Sequence, residues 1–188
     1  MKKITILLSI LCVSMASYAQ KWNADKSHSK VGFTVTHLML SEVDGNFKKF
    51  DASIMSEKED FSDAIFEFTA DVNSVETGND MRNGHLQKDD MFNAEKFPTI
   101  SFKSTSISKV DAKKFKLNGN LTMKGVTKPV VLDLTLNGIG KNQRTQKPIA
   151  GFKLTGTVKR TDFGIGAMPS AVVSEEIELR AVGEFGKE

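Results

Sequence analysis

KFKLNGNLTMKGVTKPVVLDLTL, residues 114–136, decides the fold class. Its first half places Phe115, Leu117, Leu121 and Met123 on one side of an extended chain and Lys116, Asn118, Asn120 and Thr122 on the other. That two-residue period belongs to a strand with one buried face. Residues 130–136 repeat it, with Leu132, Leu134 and Leu136 opposing Asp133 and Thr135. Between the halves, Lys124-Gly125 is suited to turning the chain, so the stretch reads as a β-hairpin.

Working outward, residues 31–36, 45–54, 64–70, 99–107, 150–159 and 176–185 alternate in the same way. The total is about eight strands, all joinable as an antiparallel meander. Within 45–54 the apolar parity changes between Phe47 and Phe50, which requires a bulge or sharp bend at Lys48-Lys49. A meander of about eight amphipathic strands can close on itself and remove its edges, and at that strand number its interior is filled by side chains or holds one small ligand. The reading is an all-β, eight-stranded antiparallel barrel, with an open two-layer sandwich as the competing architecture. Residues 138–148 (GIGKNQRTQKP) read as a polar loop. Residues 160–174 (RTDFGIGAMPSAVVS) carry Phe163, Ile165, Met168 and Val172 and should pack onto something.

Residues 1–19 read as a secretory signal: Lys2 and Lys3, an apolar run over 4–15, and Ser17-Tyr18-Ala19 for cleavage after Ala19. The run is too short to span a bilayer and no later window approaches that length, so stable membrane insertion is not expected. The expected location is periplasmic or secreted. Leu11, before Cys12, is not the small residue that a lipid-anchor signal needs. Cys12 is the sole cysteine, so residues 20–188, read as one domain, hold no disulfide and depend on a core. Without Lys2 and Lys3 the Lys+Arg count falls from 26 to 24 against 23 Asp+Glu, and the formal charge from +3 to +1. Charge therefore selects no partner. All 13 Phe lie beyond the signal while the only Tyr, Tyr18, lies within it, so the interior offers π surface with hardly any hydroxyls. Scattered basic residues and Phe at core parity do not suit a nucleic-acid groove.

RNGHLQKDDMFNAEKFPTISF, residues 82–102, fits no single period and falls between the third and fourth strands. Asn79-Asp80 are both competent N-caps, and Arg82 and His85 then share one helical face, so a short helical insertion is expected, limited to a few turns by Gly84. Met91, Phe92 and Phe97 form an apolar lip after it. Arg82 and His85 at a barrel mouth could hold a polar or anionic head group. The plainer alternative pairs Arg82 with Asp89 or Asp90 as a surface ion network. His28, His37 and His85 lack metal-ligand spacing, so no metal is expected. A G-x-S-x-G elbow is absent, no cysteine nucleophile remains after processing, and Gly164-Ile165-Gly166 lacks the setting of a dinucleotide loop. Nothing supports an enzyme or a cofactor.

Several motifs carry a resemblance. Asp25-Lys26-Ser27-His28-Ser29 leading into Val31-Gly32-Phe33 and His37, then Val43-Asp44-Gly45-Asn46-Phe47, resemble the opening of the YceI-like family. The likeness continues through Val75-Glu76-Thr77-Gly78, Arg82 with His85-Leu86, Asp90-Met91-Phe92, Phe97-Pro98 and Phe102. It extends over residues 119–127 (GNLTMKGVT) and Arg160-Thr161-Asp162-Phe163-Gly164, and so covers nearly all of 20–188. One departure is Val173-Ser174-Glu175-Glu176, where members often carry Gly-Asp-Glu.

The resemblance implies an exported, lipocalin-like barrel whose apolar pore holds a polyisoprenoid or similar long-chain amphiphile, without bond chemistry. It gives the insertion a purpose, namely to lie against the pore. The lumen residues expected from parity and resemblance together are Phe33, Val35, Phe47, Phe66, Phe68, Phe102 and Leu121, with Met91, Phe92 and Phe163 near an entrance. The head-group candidates are His37, Arg82, His85, Arg160 and Asp162, although Arg160 and Asp162 could instead pair to fix their loop. An enzyme acting on an isoprenoid or quinone head group and a solid-cored interaction module are the alternatives. Closed barrels lack free edges, which favours a monomer, with a homodimer through exposed loops as the other arrangement.

Overall fold

Residues 114–136 form the hairpin that their alternation dictates. In the computed structural model, which describes residues 19–188, Lys124 and Gly125 both have positive φ (49° and 75°), the backbone of a two-residue hairpin turn. The expected signal segment lies, apart from Ala19, outside the described residues.

In chain order the strands are β1 (Gln20–Ala24), β2 (Lys30–His37), β3 (Ser41–Phe47), β4 (Phe50–Ser56), β5 (Ile65–Asp71) and β6 (Val75–Glu76). After helix α1 (Asp80–Leu86) come β7 (Thr99–Lys109), β8 (Lys114–Met123), β9 (Val126–Lys141), β10 (Pro148–Lys159) and β11 (Glu176–Lys187). Their pairing runs β1-β4-β5-β7-β8-β9-β10-β11, and β11 returns to β1. Among the described residues this is a closed, eight-stranded antiparallel barrel with one short α-helix.

The extra segments arise because three barrel strands are each broken in two. β1 and β2 lie end to end along β11, at Phe185–Lys187 and Glu178–Val182, interrupted by a 3-10 turn at Lys26–His28. β3 and β4 are separated by Lys48-Lys49, the bend that the change of parity required. β5 and β6 are separated by the 3-10 turn Val72–Ser74, and β6 pairs with β3. Breaks of this kind let a sheet curve tightly enough to close.

Three features differ from the sequence reading. β1 is an additional strand, whose five residues contain one buried side chain, Trp22, too little for a visible period. Residues 138–141 continue β9 as strand, and the polar loop shortens to 142–147. Pro129 lies inside β9, where it faces Asn120 on β8, and the pairing of β9 with β10 reaches only as far as Asp133. A missing N–H is tolerated at such an unpaired edge.

The two ends of the barrel are built differently. At one end the loop 57–64 folds inward and buries Phe61 completely, against Trp22 (ring centroids 5.1 Å apart) and Phe152 (5.0 Å). Phe152 also meets Phe66 and Phe185 edge-to-face at 5.5 and 5.7 Å, an arrangement that suits aromatic quadrupoles. Asp63 holds the loop by accepting from Ser56 Oγ (2.6 Å) and the Glu57 amide (2.9 Å). The other end carries the β2–β3 and β8–β9 hairpins, the insertion before β7, and the segment between β10 and β11.

Candidate functional site

Strand parity sends Phe33 and Val35 of β2, Phe68 of β5, Leu154 of β10 and Ile177 and Leu179 of β11 inward, yet all six stay only part-buried. A solid core would have covered them. They face a cavity of about 410 Å³, walled largely by aliphatic and aromatic side chains and floored by Phe66, Phe152 and Phe185. This volume lies within the range of small-molecule sites. Ser29 Oγ also faces it, buried without a hydrogen-bond partner, a polar spot in an apolar wall.

Small residues make room for the rings. Gly45, opposite Phe33 in register, leaves space that the Phe33 ring occupies, and Gly119 does the same for Phe102, whose Cε2 would stand 2.5 Å from an added β-carbon. Phe33 touches Phe47 (5.9 Å between centroids), and Phe47 in turn meets Phe92 from the insertion edge-to-face at 6.2 Å. The insertion therefore completes the aromatic wall.

The insertion is held by polar contacts. Asn79 caps α1, its Oδ1 accepting from the Arg82 amide at 3.0 Å. Arg82 donates from Nε to Thr77 Oγ1 (2.8 Å) and from Nη2 to the Thr77 carbonyl (2.7 Å). Glu76 accepts from Lys48 Nζ (2.7 Å), Asn83 Nδ2 (3.0 Å) and the Gly78 amide (2.7 Å), and these donors hold its carboxyl down at about 2. His85 Nε2 lies 3.1 Å from Asp90 Oδ2, a contact that lowers the Asp90 carboxyl. His37 and His85 both line the cavity and are exposed, at the end of the barrel that carries the β2–β3 hairpin and the insertion.

Residues 160–174 pack across the same end, around a buried cation. Arg160 is 3% exposed and donates to five backbone carbonyls, those of Ser174, Ile165, Gly166, Met168 and Val173, at 2.6–3.1 Å. Its fork of donors suits this role better than an ammonium would. The segment reaches the insertion through the Gly166 amide, which donates to the Asp90 carbonyl at 2.9 Å, and the β8–β9 turn through Lys124 Nζ, which donates to the Gly164 carbonyl at 2.8 Å.

Thirteen of the residues singled out from sequence line the cavity: Phe33, Val35, His37, Phe47, Phe66, Phe68, Arg82, His85, Met91, Phe92, Phe102, Leu121 and Arg160. Two do not. Phe163 is buried in the segment after β10 and does not reach the cavity, and Asp162 is exposed, outside the lining and unpaired with Arg160. The suggested ion pair of Arg82 with Asp89 or Asp90 is also absent, because Thr77 takes the guanidinium and His85 takes Asp90. The sequence reading passed over Leu154, Ile177 and Leu179, which alternation within 150–159 and 176–185 would have supplied.

Comparison with known proteins adds four relationships. A family profile described as a YceI-like domain matches residues 22–185. A UPF0312 protein of Staphylococcus aureus (strain bovine RF122 / ET3-1) is 31% identical over 166 residues, covering 86% of this chain and 94% of that protein. Among solved structures, a Campylobacter jejuni YCEI protein aligns with a TM-score of 0.74 at 34% identity, over 100% of this chain and 99% of its own. A domain from Saccharophagus degradans, described as polyisoprenoid binding, shares the fold with a TM-score of 0.68 at 14% identity, over 89% of this chain and 98% of its own.

Proposed function

The chain belongs to the YceI-like domain family, and from that premise we propose that it binds one long-chain, isoprenoid-type amphiphile in its barrel without transforming it. The observation that carries the reading is the set of inward-facing apolar side chains left part-exposed around the cavity. Apolar walls favour a hydrocarbon tail, and His37, Arg82 and His85 at the opening favour a polar head. The description of the Saccharophagus domain as polyisoprenoid binding supports the same cargo class. The apolar run after Lys2-Lys3 supports export to the periplasm or medium.

Burying hydrocarbon contributes roughly 0.8 kcal/mol per CH₂, so the tail dominates affinity and the polar opening sets orientation. Met91 and Met168 in the wall suit an irregular branched chain, because a thioether side chain adapts its shape without presenting a strong polar group. The engagement of Arg82 with Thr77 and of His85 with Asp90 gives these groups structural partners within the insertion, in keeping with a role in holding a head group.

The test is calorimetric titration of the delipidated protein with prenyl alcohols and straight-chain alcohols of graded length. Affinity should rise roughly fourfold per added CH₂ until the cavity is full, with a negative heat-capacity change. Affinity indifferent to chain length would contradict the reading.

A further inference from the structure

The β2–β3 hairpin turns at Leu38-Met39-Leu40, three consecutive apolar residues that are 48%, 73% and 86% exposed. Leu38 and Met39 both have positive φ (52° and 56°). Asn and Gly occupy such turn positions at least cost, whereas large apolar side chains there combine backbone strain with exposure. Neither local propensity nor burial accounts for the choice. Beside them, Val172 is also exposed, and its carbonyl accepts from the Leu38 amide at 2.9 Å.

The place of this tip in the fold gives the choice a use. It directly follows His37, which lines the cavity and bridges to Val173, so the apolar tip stands on the rim of the opening. The opposite end is filled by Phe61 and Trp22, which leaves the cavity to meet solvent at the end where His37 and His85 line it. The loops at the filled end are polar and charged for the most part, as in Glu57-Lys58-Glu59-Asp60 and Asn142-Gln143-Arg144-Thr145.

Resting on the lipid-binding reading above, we propose that Leu38, Met39, Leu40 and Val172 dock the rim on a lipid bilayer, with the hairpin tip immersed among the head groups and upper acyl chains. A tail leaving the bilayer then enters the cavity without crossing bulk water, which removes the largest cost of transfer. The occupant is a bilayer because the apolar tip adjoins, through His37, the opening of an apolar cavity, so that docking brings two hydrocarbon phases to either side of a polar mouth of the kind a head group crosses. No helix among the described residues is long and apolar enough to cross a membrane, and the docking is peripheral.

The experiment compares the full chain purified from its own host with its Met39→Asp/Leu40→Asp variant, using flotation with phosphatidylethanolamine–phosphatidylglycerol vesicles and native mass spectrometry of bound lipid. Both positions are exposed and Asp tolerates positive φ, so the variant folds. The parent should float with the vesicles at low and high salt alike, since the contact is apolar. The variant should bind vesicles tenfold more weakly or worse, because each large side chain withdrawn from hydrocarbon is worth roughly that factor. Its lipid content should be unchanged. A lipid-loaded parent that does not float, or a variant that floats equally well, overturns the docking and leaves the cargo reading standing. A chain that floats but carries and takes up no lipid overturns the cargo reading instead. Self-association that the double variant abolishes, without vesicle binding, assigns the rim to a second copy and also overturns the proposal.

Discussion

The Phe33 ring occupies the space that a β-carbon at Gly45, its cross-strand partner, would need: an added Cβ would stand 2.6 Å from Phe33 Cε1. The vacancy on β3 thus fixes where the ring on β2 lies, and the ring is part of the cavity wall. Gly45→Ala should push Phe33 into the cavity and destabilise the protein by about 1–3 kcal/mol, as overpacking does. Urea denaturation measures the loss, and adding Phe33→Leu should recover part of it, since the two side chains compete for one space.

Arg160 should be the costliest residue to replace in the segment between β10 and β11. Arg160→Met removes the donor shared by five carbonyls of residues 165–174 and should cost about 3 kcal/mol, with faster hydrogen exchange confined first to 160–174. Arg160→Lys should rescue little, because an ammonium has three donors on one nitrogen and cannot span the same carbonyls.

Acid should loosen the insertion through Glu76. Its carboxyl lies at about 2 in the fold against an ordinary 4.5, chiefly because Lys48 donates to it, with Asn83 and the Gly78 amide adding to the effect. A lowered carboxyl stabilises the fold fully above its unfolded value, and that contribution fades as pH falls from 4.5 toward about 2. Stability to urea should fall across that window, amide resonances of Thr77 and Gly78 in the folded protein should titrate with a midpoint of about 2, and Glu76→Gln should abolish both changes.

Phe152 should set the depth of the cavity, since it forms the floor and touches Phe61, Phe66 and Phe185. Phe152→Leu lowers the floor at a cost of roughly 1–3 kcal/mol. The lengths of tail accepted in a graded alcohol series should move upward, measured by the chain length at which affinity stops rising.

The strand pattern was legible wherever a strand buries one face over several residues, as in β8 and β9, and the bend at Lys48-Lys49 was legible from the shift in parity between Phe47 and Phe50. The cap of α1 at Asn79 was legible because the chemistry is local. β1 was not, since Trp22 alone marks it. The roles of Arg160 and Arg82 were hidden for a different reason. Their partners are backbone carbonyls and a threonine, groups that leave no charge pattern in a sequence. Phe61 was equally hidden, because a positive φ of 58° in a short loop turns it into the barrel end, and no period encodes such a turn. The cavity itself was readable only as an alternative to a filled interior, since parity says which side chains point inward and not whether they meet.

A barrel that is hollow in order to hold a lipid should leave its host carrying one. Native mass spectrometry of the protein purified from its own host, followed by organic extraction, tests this most directly. One stoichiometric adduct should appear, which extraction releases as a long-chain isoprenoid or similar amphiphile. A protein of bare mass that also takes up no added lipid would contradict it.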